Sequence, residues 1–142
     1  QNYFNAIQEK ANSLNNVYMS GFVDPDKVLV WMKRSKILLH TSVPVHAGLT
    51  KEGFPNVFLE SWASGVMVVS LFVNPDGVLD SKDIGFRINS LEEAATILRK
   101  YTRIEHEWRE LSMNCKDFVN QRNSENAALK NSLIEILTDT KQ

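Results

Sequence analysis

A chain of 142 residues suffices for one domain with a buried core. Its 43% hydrophobic and 23% charged residues describe a globular protein, neither fibrous nor disordered. Sixteen basic residues against seventeen acidic ones give a net charge of −1, which offers no basic field for nucleic acid or a membrane surface.

The single cysteine, Cys115, excludes an internal disulfide and a multi-cysteine metal cluster, and fits a reducing compartment. The longest apolar run, VMVVSLFV, has eight residues, far below the roughly 20 that span a bilayer. The chain opens on QNYFNAIQEK, inside a helical pattern and without an initiator methionine or signal-peptide pattern. The expectation is a piece of a longer protein.

Phe4, Ile7, Ala11 and Leu14 recur at spacings of three and four, predicting a short amphipathic helix over 2–14. NVYMSGFV, 16–23, is rich in β-formers and predicts a strand at 17–22. DPDKVLVWMKRSK then opens a helix, with Asp24 as N-cap, Pro25 in the first turn, and Val28, Trp31 and Met32 on one face. ILLHTS, 37–42, is apolar without alternation, as in a parallel strand covered on both faces.

After a loop at 43–54, a helix is predicted from Pro55 to Ser64, with Gly65 at its C-terminal cap. VMVVSLF, 66–72, reads as a second doubly covered strand, VNPDG as a turn, and GFRINS, 85–90, as a short strand. Ser90 and Glu93 form a capping box for a helix at 91–103. Residues 105–142 read as helix to the end, broken or loosened near NQRNSEN, with Trp108, Leu111, Phe118, Leu129, Leu133 and Leu137 as its packing stripe.

This alternation predicts a doubly wound α/β parallel sheet, Rossmann-like, in which ligands sit beyond the carboxyl ends of the strands. The stretch KEGFPNVFLESWASG, Lys51 to Gly65, falls on that edge. A helix N-terminus presents unpaired N–H groups and about half a positive charge, which suits a diphosphate. Gly53 permits close backbone approach, and the amides of Asn56 and Val57, with Phe54, are the free donors.

Glu52 precedes this anion site, and Glu60 lies roughly 8 Å along the helix axis from its start. Carboxylates accept two hydroxyl donors at once, so the pair could read one sugar each. The plain alternative stays open: a Glu before a helix often only favours the dipole, and a mid-helix Glu often only faces water.

The run E-G-F-P-N-V-F-L-E-S-W-A-S-G resembles the E-x7-E signature of retaining GT-B glycosyltransferases of family 4, the group 1 glycosyl transferases. NVYMSGFV, VLVWMKRSKILLHTS and GVMVVSLFVNPDG follow in the order of that family's nucleotide-sugar-binding domain, so the likeness covers most of the chain. It implies the C-terminal half of a GT-B fold lacking its first two strands, with residues 1–142 forming a partial donor-binding domain that ends in helices over 105–142. It implies transfer of a hexose from a UDP- or GDP-sugar, with retention of configuration, to a glycan or lipid acceptor held by a missing N-terminal domain. Glu52 would contact the donor sugar and serve as the catalytic carboxylate. Glu60 would hold the ribose hydroxyls. Gly53, Phe54, Asn56 and Val57 would line sugar and diphosphate, Gly21 and Phe22 would lie near the base, and Lys51 would help neutralise phosphate. No metal and no other cofactor is implied. The expected location is cytoplasmic, with peripheral attachment to the inner membrane face through the missing domain.

Departures from the family pattern carry expectations of their own. Pro55 stands where many relatives have Gly, and VPVHAGLTK lengthens the link before Glu52. The strand at 17–22 should be separated from 37–42 by two strands that are not in this chain, leaving a gap or a rearranged pairing. Open edges should make the fragment prone to associate and poorly active alone.

His40 reads as a core or backbone-bonded histidine near the site, His46 as a solvated loop residue, and Trp31, Phe58 and Trp62 as core. Competing readings are an isomerase or phosphorylase on the same scaffold and a truncated, non-catalytic binding module. A dinucleotide oxidoreductase is disfavoured, because no G-x-G-x-x-G occurs.

Overall fold

Three short runs of β-branched and aliphatic residues make the sheet. A computed structural model describes residues 3–42 and 54–139, with side chains through residue 131. Its strands are β1 (Ile37–His40), β2 (Met67–Leu71) and β3 (Gly85–Ile88). They pair in parallel in the order β1-β2-β3, with His40 opposite Ser70 and Val68 opposite Gly85. The helices are α1 (Tyr3–Asn12), α2 (Pro25–Arg34), α3 (Asn56–Ala63), α4 (Val78–Ser81), α5 (Leu91–Arg103) and α6 (Glu105–Asp139). This is the predicted Rossmann-like α/β arrangement of a parallel sheet flanked by helices.

Every residue of β2 is buried, and since side chains alternate between faces, both its faces are covered. The core gathers there: Phe58 and Trp62 from α3, Val68 and Val69 from β2, Ile84 and Ile88 around β3, Leu111 and Cys115 from α6. β1 differs from its expected double burial. It ends at His40, and Leu39 remains 40% exposed, because no second strand flanks its outer side among the described residues.

Local signals fix the ends of the elements. The α3 C-terminus is a Schellman closure: the Val66 amide donates to the Ser61 carbonyl and the Gly65 amide to Trp62, with Gly65 at φ +76°. The α5 capping box forms as predicted. Ser90 Oγ accepts the Glu93 amide at 3.2 Å, and the Glu93 carboxylate accepts the Asn89 amide at 2.7 Å.

Four expectations need correction. Residues 17–22 form no strand: Tyr18 and Phe22 are 83% and 92% exposed, and β-forming residues without a neighbouring strand have no ladder to join. Trp31 is not core; its ring is 43% exposed and meets Tyr18 edge-on, while Met32 is the buried residue of α2. α6 runs unbroken through NQRNSEN, since its polar residues lie on the exposed helix face, apart from the half-buried Arg122, and interrupt nothing. Leu129 is exposed instead of packed, and the side chains of Leu133 and Leu137 lie outside the described residues. Beyond the predicted turn, Pro75–Gly77 is a 3-10 turn leading directly into α4, which the sequence reading did not anticipate.

Candidate functional site

The direction of α3 decides where its N-terminus lies. Phe58, in its first turn, sets its ring edge-on to His40 at 5.0 Å, and His40 ends β1. Trp62, one turn later, donates its indole N–H to the carbonyl of Ile84, the residue before β3, at 2.9 Å. α3 therefore runs antiparallel to the strands, with its N-terminus over their carboxyl ends.

The helix starts after Pro55, which sits at the N-cap with no side chain to offer the amides that follow. Among the described residues no other side chain caps it. The amides of Asn56 and Val57 have no intrahelical acceptor, as at any helix start. Asn56 and Glu60, four residues apart, share the exposed face of α3, whereas Phe58, Ser61 and Trp62 face the core.

An aromatic chain holds this helix rigidly. Phe58 meets Trp62 at 5.6 Å, Phe54 meets Trp62 at 5.9 Å, and Trp62 meets Phe118 of α6 at 5.3 Å, all near T-shaped. His40, expected to be a core or backbone-bonded histidine, is half-buried, and its ring shares a hydrogen bond with a side chain instead, the fully buried Ser70 hydroxyl at 3.2 Å. That bond ties the carboxyl ends of β1 and β2 together beneath α3.

The predicted site residues divide into three groups. Phe54, Asn56, Val57 and Glu60 come together at the first turns of α3. Gly21 and Phe22 lie in the connection between α1 and α2, where Gly21 adopts φ +64°, and no hydrogen bond or ring contact joins Phe22 to α3 among the described residues. Lys51, Glu52 and Gly53, with His46 and the rest of 43–53, lie outside the described residues.

One residue that sequence reasoning missed is Arg122 of α6, whose guanidinium lies 4.5 Å from the centre of the Phe54 ring. It falls within NQRNSEN, the stretch that local pattern alone breaks or loosens. Its signal was the spacing: Leu111, Cys115, Phe118 and Arg122 follow one another by four, three and four residues.

Two clefts open away from α3. One of about 600 Å³ lies at the amino-terminal edge of the sheet, between Asp83, Gly85, Tyr101, Glu107 and Glu110. Another of about 510 Å³ lies beyond β3, between Arg87, Asn89, Glu93 and Ile97. Neither contains a residue predicted for the site, and size alone does not outweigh the position of α3 at the strand ends. Among the described residues no three His, Cys, Asp or Glu side chains converge as metal ligands, and no helix is long and apolar enough to cross a membrane.

No curated protein matches the chain. The profile of the family described as Glycosyl transferases group 1 matches residues 2–103, which include all three strands, α3 and both glutamates of the E-x7-E run. By that match over most of its length, the chain belongs to the group 1 glycosyl transferases.

Proposed function

We propose that this chain is the donor-binding part of a retaining, GT-B, family 4 glycosyltransferase that moves a hexose from a UDP- or GDP-sugar to a glycan or lipid acceptor at the cytoplasmic side. The observation that carries this reading is the placement of α3. Its N-terminus lies at the carboxyl edge of the sheet, no described side chain caps it, and Glu60 is exposed on its outer face.

The chemistry follows from charge. Cleaving the bond between the sugar and the diphosphate leaves negative charge on the departing phosphate. Amides fixed at a helix start, aided by the helix dipole and by basic side chains such as Lys51, stabilise that charge where it develops. Glu60 accepts the two ribose hydroxyls. Glu52 and the backbone of Gly53, Phe54, Asn56 and Val57 hold the sugar and diphosphate, and the Gly21–Phe22 turn borders the base. The acceptor hydroxyl attacks the anomeric carbon from the face the diphosphate leaves, and the leaving phosphate takes its proton.

The test is titration calorimetry of the intact protein with UDP-glucose and GDP-mannose, alongside turnover assays. Glu60→Ala should weaken binding of the accepted donor roughly 10–100-fold, the worth of charge-assisted hydrogen bonds. Glu52→Ala should depress turnover more than affinity. Unchanged affinity and rate in both variants would overturn the reading.

A further inference from the structure

Arg122 has no role in the reading above, yet its surroundings are unusual. It is half-buried, and among the described residues its guanidinium meets neither a carboxylate nor any hydrogen-bond acceptor. It lies over the face of Phe54, 4.5 Å from the ring centre. A guanidinium in such a place gives up part of its hydration, and the ring quadrupole is the interaction that compensates.

Phe54 is held from two directions. Arg122 covers its face, and Trp62 meets it edge-on at 5.9 Å; Trp62 in turn is fixed by its bond to Ile84 and by Phe118. Phe118 and Arg122 lie one turn apart on α6, so the same face of that helix supports Trp62 and Phe54 together. Directly after Phe54 comes Pro55, at φ −64°, which also restricts the backbone of the residue before it. Pinning the Phe54 ring therefore leaves the chain little freedom in how it enters the first turn of α3.

We propose that Arg122 is a positioning residue for nucleotide-sugar binding. Through Phe54 it fixes the first turn of α3 and so the amides of Asn56 and Val57. The inference rests on the assignment of that turn to the donor diphosphate.

Donor binding in the intact protein tests it, with UDP-glucose and GDP-mannose as probes and Glu60→Ala as the reference variant. Arg122→Ala should raise the Kd and KM of the accepted donor roughly three- to tenfold with a smaller change in kcat, the size expected of a partly desolvated cation–π contact. Arg122→Lys, which keeps a cation over the ring, should recover most of the loss. In a Phe54→Leu background, Arg122→Ala should add little, because the ring it works through is gone.

Normal donor affinity in Arg122→Ala beside weakened affinity in Glu60→Ala would overturn the role of Arg122 alone. A lowered Tm without a change in donor affinity would reduce Arg122 to a packing residue and overturn it too. An undiminished effect of Arg122→Ala in the Phe54→Leu background would show action on the donor directly and not through the ring. Normal affinity in Glu60→Ala as well would overturn the site itself.

Discussion

Two glycines show how differently one residue type can matter. A methyl group at Gly85 would lie 2.0 Å from the carbonyl oxygen of Val68, a backbone atom of the central strand with nowhere to move. Gly85→Ala should therefore push β3 away from β2 and cost about 3 kcal/mol or more. At Gly65 the obstacles are the flexible ends of Lys116 and Ser112, both 2.6 Å from the added carbon, and the main penalty is the left-handed backbone. Gly65→Ala should cost about 1–2 kcal/mol. Urea denaturation of both variants checks the order, and equal losses would contradict the argument.

Cys115 belongs to the same scale. It is fully buried, its thiol points at the Ile84 carbonyl at 3.5 Å, and burial pushes its pKa from 9.0 up to about 12. A raised value in the folded state means that the unfolded chain ionises first. The contribution of this thiol to stability is thus complete below about pH 9 and drains away between 9 and 12. At pH 8 the native thiol should resist iodoacetamide and react only at the rate of unfolding. Rapid labelling of the native protein would show that the site opens.

At the scale of elements, the cap at Ser90 is a self-contained test. Its hydroxyl accepts the Glu93 amide, and Ser90→Ala should cost about 1 kcal/mol while leaving donor binding unchanged, since α5 carries no residue of the proposed site. This cap also marks how well elements could be read from sequence. α5 falls at 91–103 as predicted, because a capping box and a strong apolar stripe agree there. α3 and β2 were legible for the same reason: a glycine closure follows a helical pattern, and an unbroken apolar run fills the sheet centre.

Where local pattern and context disagreed, context prevailed. Residues 17–22 carry β-formers but have no strand to pair with among the described residues, so propensity had nothing to act on. NQRNSEN reads as a break or loosening, yet its polar residues other than Arg122 are exposed, while Phe118 and Arg122 continue the half-buried stripe. The candidate site was half legible. Its helix and exposed glutamate follow from spacing. The Arg122–Phe54 contact joins residues 68 positions apart, and no local pattern announces it.

For the whole molecule, the decisive feature is an uneven surface. β3 carries Arg87 on its exposed side, a charge of the kind that blunts strand edges. β1, ILLH, carries no Lys, Arg, Asp or Glu, and its Leu39 is 40% exposed. Apolar residues scattered singly, such as Leu129, need no partner, but a sheet edge with no flanking strand among the described residues invites strand-to-strand pairing between chains. The isolated 142-residue chain should therefore associate reversibly at roughly 10–100 μM, seen as a rising mean mass in sedimentation velocity. Leu39→Lys places a charge on that edge without touching the core of β2, and it should move the population toward monomer while leaving the far-UV circular dichroism unchanged. A wild-type chain that stays monomeric across that range, or a mutant that associates equally, would mean that the β1 edge is already covered.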